Sequence, residues 1–229
     1  MYKSRLRMGF IVSGQIHPQM FGDIVHAGND VVVCDLTGEI AREFTEMGAV
    51  VAVNLVDLCK DRDVVTTMLD DDSAVRKAVT DPRGICDSMP AGSIHLAMGT
   101  CGVATIRLIE AAHREANQIL VAAPILGGLD LFATPEVIVA AAGPTDALRR
   151  VDPLLKAMRC RIFPAGTNPE AATITKLADR FVMGCALQAM AEAFSLVRKY
   201  GVDPQVFYDT LIDSNVVMKK RRDDLFAED

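Results

Sequence analysis

The segment Met8-Gly9-Phe10-Ile11-Val12-Ser13-Gly14-Gln15-Ile16-His17 decides the fold: an apolar run of strand length passes through a glycine into a stretch with helical spacing. That stretch stops at Ala27-Gly28-Asn29, and Val31-Val32-Val33-Cys34-Asp35 follows as a second short apolar run. Gly28 is a helix-stop signal, so the pieces read as strand, helix and a second strand parallel to the first. Working outward, apolar runs recur at 50–52, 64–68, 94–97 and 119–122, separated by charged, helix-compatible stretches at 37–47, 71–79 and 103–116. Strands this short and apolar on both faces suit a mostly parallel sheet with helices on both faces, a Rossmann-type α/β fold.

Pro124 and Gly127-Gly128 then break the rhythm before an apolar run at 137–140, a helical stretch at 145–158 and a last strand at 161–163. Between 170 and 200 there is no proline and only Gly184 interrupts a run rich in Ala, Leu and Met, which predicts one helix of about thirty residues, far above the usual length. A helix so long and apolar needs a partner, and a homodimer through residues 170–200 is predicted. Gly201-Val202-Asp203-Pro204 combines a helix stop with a cap and first-turn proline, starting a final helix through residue 212. Two domains are expected: a Rossmann-type dinucleotide-binding domain over 1–168, then over 169–229 a long interdomain helix and a short, truncated all-helical C-terminal domain.

A net charge of −6 and a pI near 5.2 argue against nucleic acid or an anionic membrane surface as partner. The basic run Lys219-Lys220-Arg221-Arg222 is followed at once by Asp223-Asp224 and reads as a solvated helix face. Cys34, Cys59, Cys86, Cys101, Cys160 and Cys185 form no C-x-x-C pair and no metal-ligand spacing, so they read as small core residues in a reducing compartment, with no metal expected. No run reaches the roughly 18 uninterrupted apolar residues of a membrane helix, and the N-terminus lacks a signal-peptide pattern. A cytoplasmic protein without a membrane partner is expected.

Dinucleotide sites on a βαβ unit use G-x-G-x-x-G to bring pyrophosphate against backbone at a helix N-terminus. Gly14 holds the middle position, followed by Gln15 and Ile16, while Val12 and His17 stand where the first and third glycines would be. Asp35 closes the second strand where an acidic group would bind the ribose hydroxyls, and the neighbouring Leu36 offers no cation to a 2′-phosphate, so NAD is favoured over NADP. Lys176 lies on the apolar side of the long helix, where an ammonium must be paired or reach solvent, which makes it a candidate proton donor or acceptor. Asp179, three residues on, shares its helix face and favours the charged lysine.

With these positions in order, the chain from about Met8 to Leu211 resembles the β-hydroxyacid dehydrogenase family, the relatives of 3-hydroxyisobutyrate dehydrogenase and of the NAD-binding domain of 6-phosphogluconate dehydrogenase. Thr67-Met68-Leu69-Asp70 resembles the family's T-M-L-P beside the adenosine, with Asp70 in place of proline. Met98-Gly99-Thr100 resembles the M-S-T turn beside nicotinamide and substrate, with Gly99 in place of serine. Ala123-Pro124-Ile125-Leu126-Gly127-Gly128 resembles the substrate loop A-P-V-S-G-G, with Leu126 in place of serine. Lys176-Leu177-Ala178-Asp179 resembles the catalytic K-x-x-N, with Asp179 in place of asparagine.

The resemblance implies an NAD(P)-dependent oxidoreductase that moves hydride between nicotinamide and a small hydroxy acid or related carbonyl or imine, with Lys176 as general acid/base. It assigns Lys176, Asp179 and Thr100 to catalysis. Gly14, Gln15, Ile16, Asp35, Leu36, Met68, Leu69 and Thr100 go to the cofactor, and Gly99, Thr100, Leu126, Gly127 and Gly128 to the substrate. Full-length members continue through further helices and a second lysine, so a truncated chain, a naturally short member or a cleft completed by a partner is expected. The competing reading is a non-catalytic member that acts as a dimeric scaffold for a ligand or protein.

Overall fold

The computed structural model describes residues 6–13, 22, 24–25, 29–38, 41–69, 71–127 and 137–213. Eight strands, β1 (Arg7–Val12), β2 (Asp30–Asp35), β3 (Val50–Val51), β4 (Val64–Met68), β5 (Ile94–Ala97), β6 (Ile119–Ala122), β7 (Val137–Ala142) and β8 (Cys160–Gly166), form one sheet in the order β3-β2-β1-β4-β5-β6-β7-β8. All pairings are parallel except β6 with β7, which meet antiparallel at Ala122 and Ala142. The described helices are α1 (Ala41–Glu46), α2 (Leu55–Cys59), α3 (Asp72–Thr80), α4 (Ile85–Ser88), α5 (Val103–Glu115), α6 (Thr145–Ala157), α7 (Pro169–Lys199) and α8 (Pro204–Asp213). The predicted mostly parallel α/β sheet followed by a long helix is therefore the fold. Of the helical stretch predicted after Gly14, residues 22, 24 and 25 are described and are helical; the remainder, with its stop at Gly28, and the basic run at 219–222 lie outside the described residues.

Alternation along the strands sorts the core into two layers. Phe10 and Val12 of β1 and Val33 of β2 face one core layer, which also holds Val151, Leu154 and Leu155 of α6. Ile11, Val32 and Cys34 face the other with Leu58, Val75, Ile85, Ile106 and Ile109 from α2 to α5. Gly9 is fixed by this packing: a Cβ there would sit 2.6 Å from Leu58 Cδ2, so α2 rests directly on the β1 backbone. Two short helices, α2 and α4, have no counterpart in the sequence reading; Asn54 caps α2 by accepting the Asp57 N–H at 2.9 Å.

One buried polar chain crosses from β4 through β5 to α5. Gln118 donates its amide to the carbonyls of Cys86 (3.0 Å) and Met89 (2.8 Å), so its Oε1, 2.8 Å from His113 Nδ1, must accept. Burial holds both imidazoles below their ordinary value, His95 far below, so each ring is neutral and carries one N–H. His113 Nδ1–H therefore donates to Gln118, His95 Nδ1–H donates to His113 Nε2 at 2.7 Å, and Thr67 donates its hydroxyl to His95 Nε2 at 2.8 Å. Every proton in the chain has one direction, and the chain ends at Thr67, whose carbonyl accepts from Met98 N at 2.9 Å at the carboxyl edge of the sheet.

By contacts the chain divides into two compact units, residues 1–180 and 181–229. Within the second, Gly201 takes φ +74° after α7, Asp203 accepts the Gln205 N–H at 2.9 Å to start α8, and Phe194 meets Phe207 edge-to-face at 5.0 Å. Helix α7 contains an 18-residue window of mean hydropathy 1.2, none of it buried. By length and composition it could cross a membrane, which the reading of uninterrupted apolar runs did not anticipate; Glu192, hydrogen-bonded to Gln188 at 2.8 Å, lies on that helix.

Candidate active site

The carboxyl ends of β1, β2 and β4 stop at one level, since Val12 pairs with Asp35 on one side and Met68 on the other. Strand order reverses at the β1/β4 boundary, where ligands bind open α/β sheets. The Asp35 carboxylate is held at this edge by a local turn: Oδ1 accepts the Thr37 N–H at 3.0 Å and the Thr37 hydroxyl at 2.8 Å. Leu36 beside it is 48% exposed, its N–H donating to the Val12 carbonyl at 3.0 Å. Met68 and Leu69 bury their side chains in the two core layers. An acidic, turn-fixed group at the end of β2 beside a strand-order reversal fits a dinucleotide. Gly14, Gln15, Ile16, His17, Asp70 and Gly128, all named in the sequence reading, lie outside the described residues.

The turn after β5 is pressed against the end of β4. Gly99 N lies 3.3 Å from the Thr67 carbonyl, and a Cβ on Gly99 would sit 2.0 Å from Leu69 O and 2.6 Å from its N and C. No side chain fits there, so glycine at this position is a steric requirement of the closed β4–β5 edge. Thr100 follows, half-buried, leading into α5. The sequence reading did not single out Asp72, which accepts the Gly102 N–H at 2.8 Å; that bond and one from Thr105 hold its carboxyl below the usual range. Asp72 thus satisfies a free donor at the start of α5 from the start of α3, and Arg76 Nε donates to Thr105 at 2.9 Å beside it.

Helix α7 buries only one stripe, Pro169, Ala172, Thr173 and Lys176, spaced three, four and seven residues from the first. Lys176 is the charged member of that stripe and is 3% exposed. Its Nζ donates to the Gly127 carbonyl at 3.5 Å and lies 3.9 Å from Asp179 Oδ2. The same Oδ2 accepts the Gly127 N–H at 3.2 Å. Gly127 can offer both groups to one helix because its φ is +95°, a conformation glycine adopts without strain, and Leu126 N is anchored to the Ile138 carbonyl at 2.7 Å. Leu126 packs its side chain on the α2–α5 core layer. The start of α7 is tied to α5 by an Arg107–Glu170 ion pair.

The structure therefore brings Gly127, Lys176 and Asp179 into direct contact. It sets Gly99 against the β4 end, with Thr100 next to it in the chain, and places Asp35 at the end of β2. The Lys176 side chain is thus buried between a carbonyl and a carboxylate. The cleft between α6 and β8, lined by Thr145, Arg149, Asp152, Ile162 and Pro164, contains none of the predicted site residues.

Residues 7–166 match the family described as the NAD binding domain of 6-phosphogluconate dehydrogenase. The chain is 28% identical over 204 residues to the uncharacterized oxidoreductase YfjR of Bacillus subtilis (strain 168), covering 89% of this chain and 71% of that protein. It is 25% identical over 208 residues to the 3-hydroxyisobutyrate dehydrogenase of Pseudomonas aeruginosa, covering 91% and 70%. Among solved structures, the Mycobacterium tuberculosis 3-hydroxyisobutyrate dehydrogenase with L-serine superposes with a TM-score of 0.82 at 25% identity, over 90% of this chain and 70% of that one.

Proposed function

The chain belongs to the β-hydroxyacid dehydrogenase family, and from that membership we propose that it is an NAD(P)-dependent oxidoreductase acting on a small hydroxy acid or a related carbonyl or imine, with Lys176 as general acid/base. The observation that carries the reading is the burial of Lys176 against Gly127 and Asp179, an arrangement with a desolvation cost that a merely solvated lysine would not bear. The bound nicotinamide would supply the hydride donor or acceptor. Asp35 would hold the ribose hydroxyls, and the 67–69 and 99–100 turns would border the rest of the cofactor. Lys176 Nζ would give a proton to the forming alcohol, or take it in the reverse direction, while Gly127 and Leu126 wall the substrate.

The Asp35 carboxylate repels a 2′-phosphate, so NAD(H) is the expected form. Titration with NADH and NADPH, followed by nicotinamide fluorescence, tests this: NADH is expected to bind at least tenfold tighter, and failure of both to bind at millimolar concentration would sink the reading.

The second part of the proposal is a homodimer through residues 170–200. Phe181, Leu187 and Leu196 of α7 are exposed at 73%, 59% and 58%, a cost in water that a second copy would remove. Glu192 within the same stretch disfavours a lipid environment. A non-catalytic dimeric scaffold, the competing reading, would leave these predictions about assembly intact while abolishing turnover.

A further inference from the structure

Resting on the oxidoreductase reading, the contacts of Asp179 bear on the charge of the substrate that site accepts. Two donors of different kinds converge on a single oxygen: the Gly127 amide at 3.2 Å and the Lys176 ammonium at 3.9 Å, both on Asp179 Oδ2. A backbone N–H and an ammonium aimed at one oxygen form the arrangement that recognises a carboxylate. In this chain the protein supplies that carboxylate itself. We propose that Asp179 acts as a built-in carboxylate and makes this a site for carbonyl or imine substrates that carry no carboxylate.

Three further observations point the same way. The formal charges of Lys176 and Asp179 sum to zero, so an incoming anion meets no net positive charge from the pair and must share the ammonium with a like charge a few ångströms away. Arg107 of α5 is already neutralised by Glu170 at the start of α7. The two flanking positions contribute no hydroxyl: Leu126 packs on the core, and Gly99 is barred from carrying a side chain by the Leu69 backbone 2.0 Å from where its Cβ would be. Around Lys176, Leu126 and Gly99 the described residues thus offer a substrate apolar surface and one proton-bearing amine. That combination suits an uncharged C=O or C=N.

The test uses the full chain and two ligands that differ in charge and hardly in shape, 3-hydroxyisobutyrate and its primary amide, with binding read by calorimetry in the presence of saturating NAD. The wild-type protein is expected to bind the amide at least tenfold tighter than the acid. Asp179→Asn keeps an oxygen for the Gly127 N–H and removes the charge, and is expected to reverse the order by at least tenfold. If the variant does not fold, the wild-type pair decides alone. Binding of the acid as tightly as the amide, an unchanged order in the variant, or binding of neither ligand would overturn the inference. Failure of the oxidoreductase reading is distinguishable, because it would be seen first as absence of nicotinamide binding in the fluorescence titration.

Discussion

Gly99 abuts the Leu69 backbone, and Lys176 is buried against Gly127 and Asp179. In the sequence Gly99 reads as a lost serine hydroxyl; in the fold a Cβ there would fall 2.0 Å from Leu69 O, and the nearest atoms are all Leu69 backbone rather than a side chain that could yield. Gly99→Ser, nominally a step toward the family motif, is therefore expected to destabilise the protein by about 3 kcal/mol or more, measured by urea unfolding. A substitution without effect on the midpoint would contradict the close approach of the two turns. Lys176 was legible as a candidate because a charge interrupted an apolar helical stripe, but its partners were not. Gly127 lies 49 residues away, and no local pattern announces that contact. Lys176→Met is expected to lower kcat by roughly 100-fold to 10,000-fold while leaving NADH affinity unchanged. Because methionine fills the buried stripe without a charge, the melting temperature should hold or rise. Loss of cofactor binding in that variant would assign the lysine a structural role instead.

The eight strands were readable as elements because most of the sheet is covered on both faces, so most strands carry a short, largely apolar run. Helices α2 and α4 were not, since five and four residues carry no helical period. The polar chain of Thr67, His95, His113 and Gln118 was also missed: His95 sits inside an apolar strand run and His113 inside an amphipathic helix, and only packing of α5 on the sheet brings them together. This chain makes stability depend on pH with a definite sign. Both histidines are held below their ordinary value of 6.5, mainly by burial. Below that value the unfolded chain takes up protons that the folded chain refuses. The contribution is thus complete above pH 6.5 and is lost as pH falls toward the folded values, by up to about 1.4 kcal/mol per pH unit for each ring. Unfolding midpoints from pH 7.5 to 5 should fall accordingly, and His113→Gln should flatten the slope by about half. A flat profile in the wild-type protein would mean that the rings are charged or solvated.

At the scale of the whole molecule, assembly is the property most exposed to test. Phe181→Glu together with Leu187→Glu places two charges on the exposed apolar side of α7 without touching the buried stripe that carries Lys176. Sedimentation is expected to show a dimer for the wild-type chain and a monomer for the double variant. A wild-type monomer would reject the assembly. The strand order has a consequence of its own for the newborn chain. Strand β1 lies between β2 and β4, so its first neighbour leaves the ribosome soon after it and its second only after β3, α2 and the intervening loops have been made. At ordinary synthesis rates that interval is roughly two to seven seconds, during which the side of Met8–Val12 that will pair with β4 has no strand beside it. For that interval β1 carries an open edge on its β4 side, which closes when Val64–Met68 emerges.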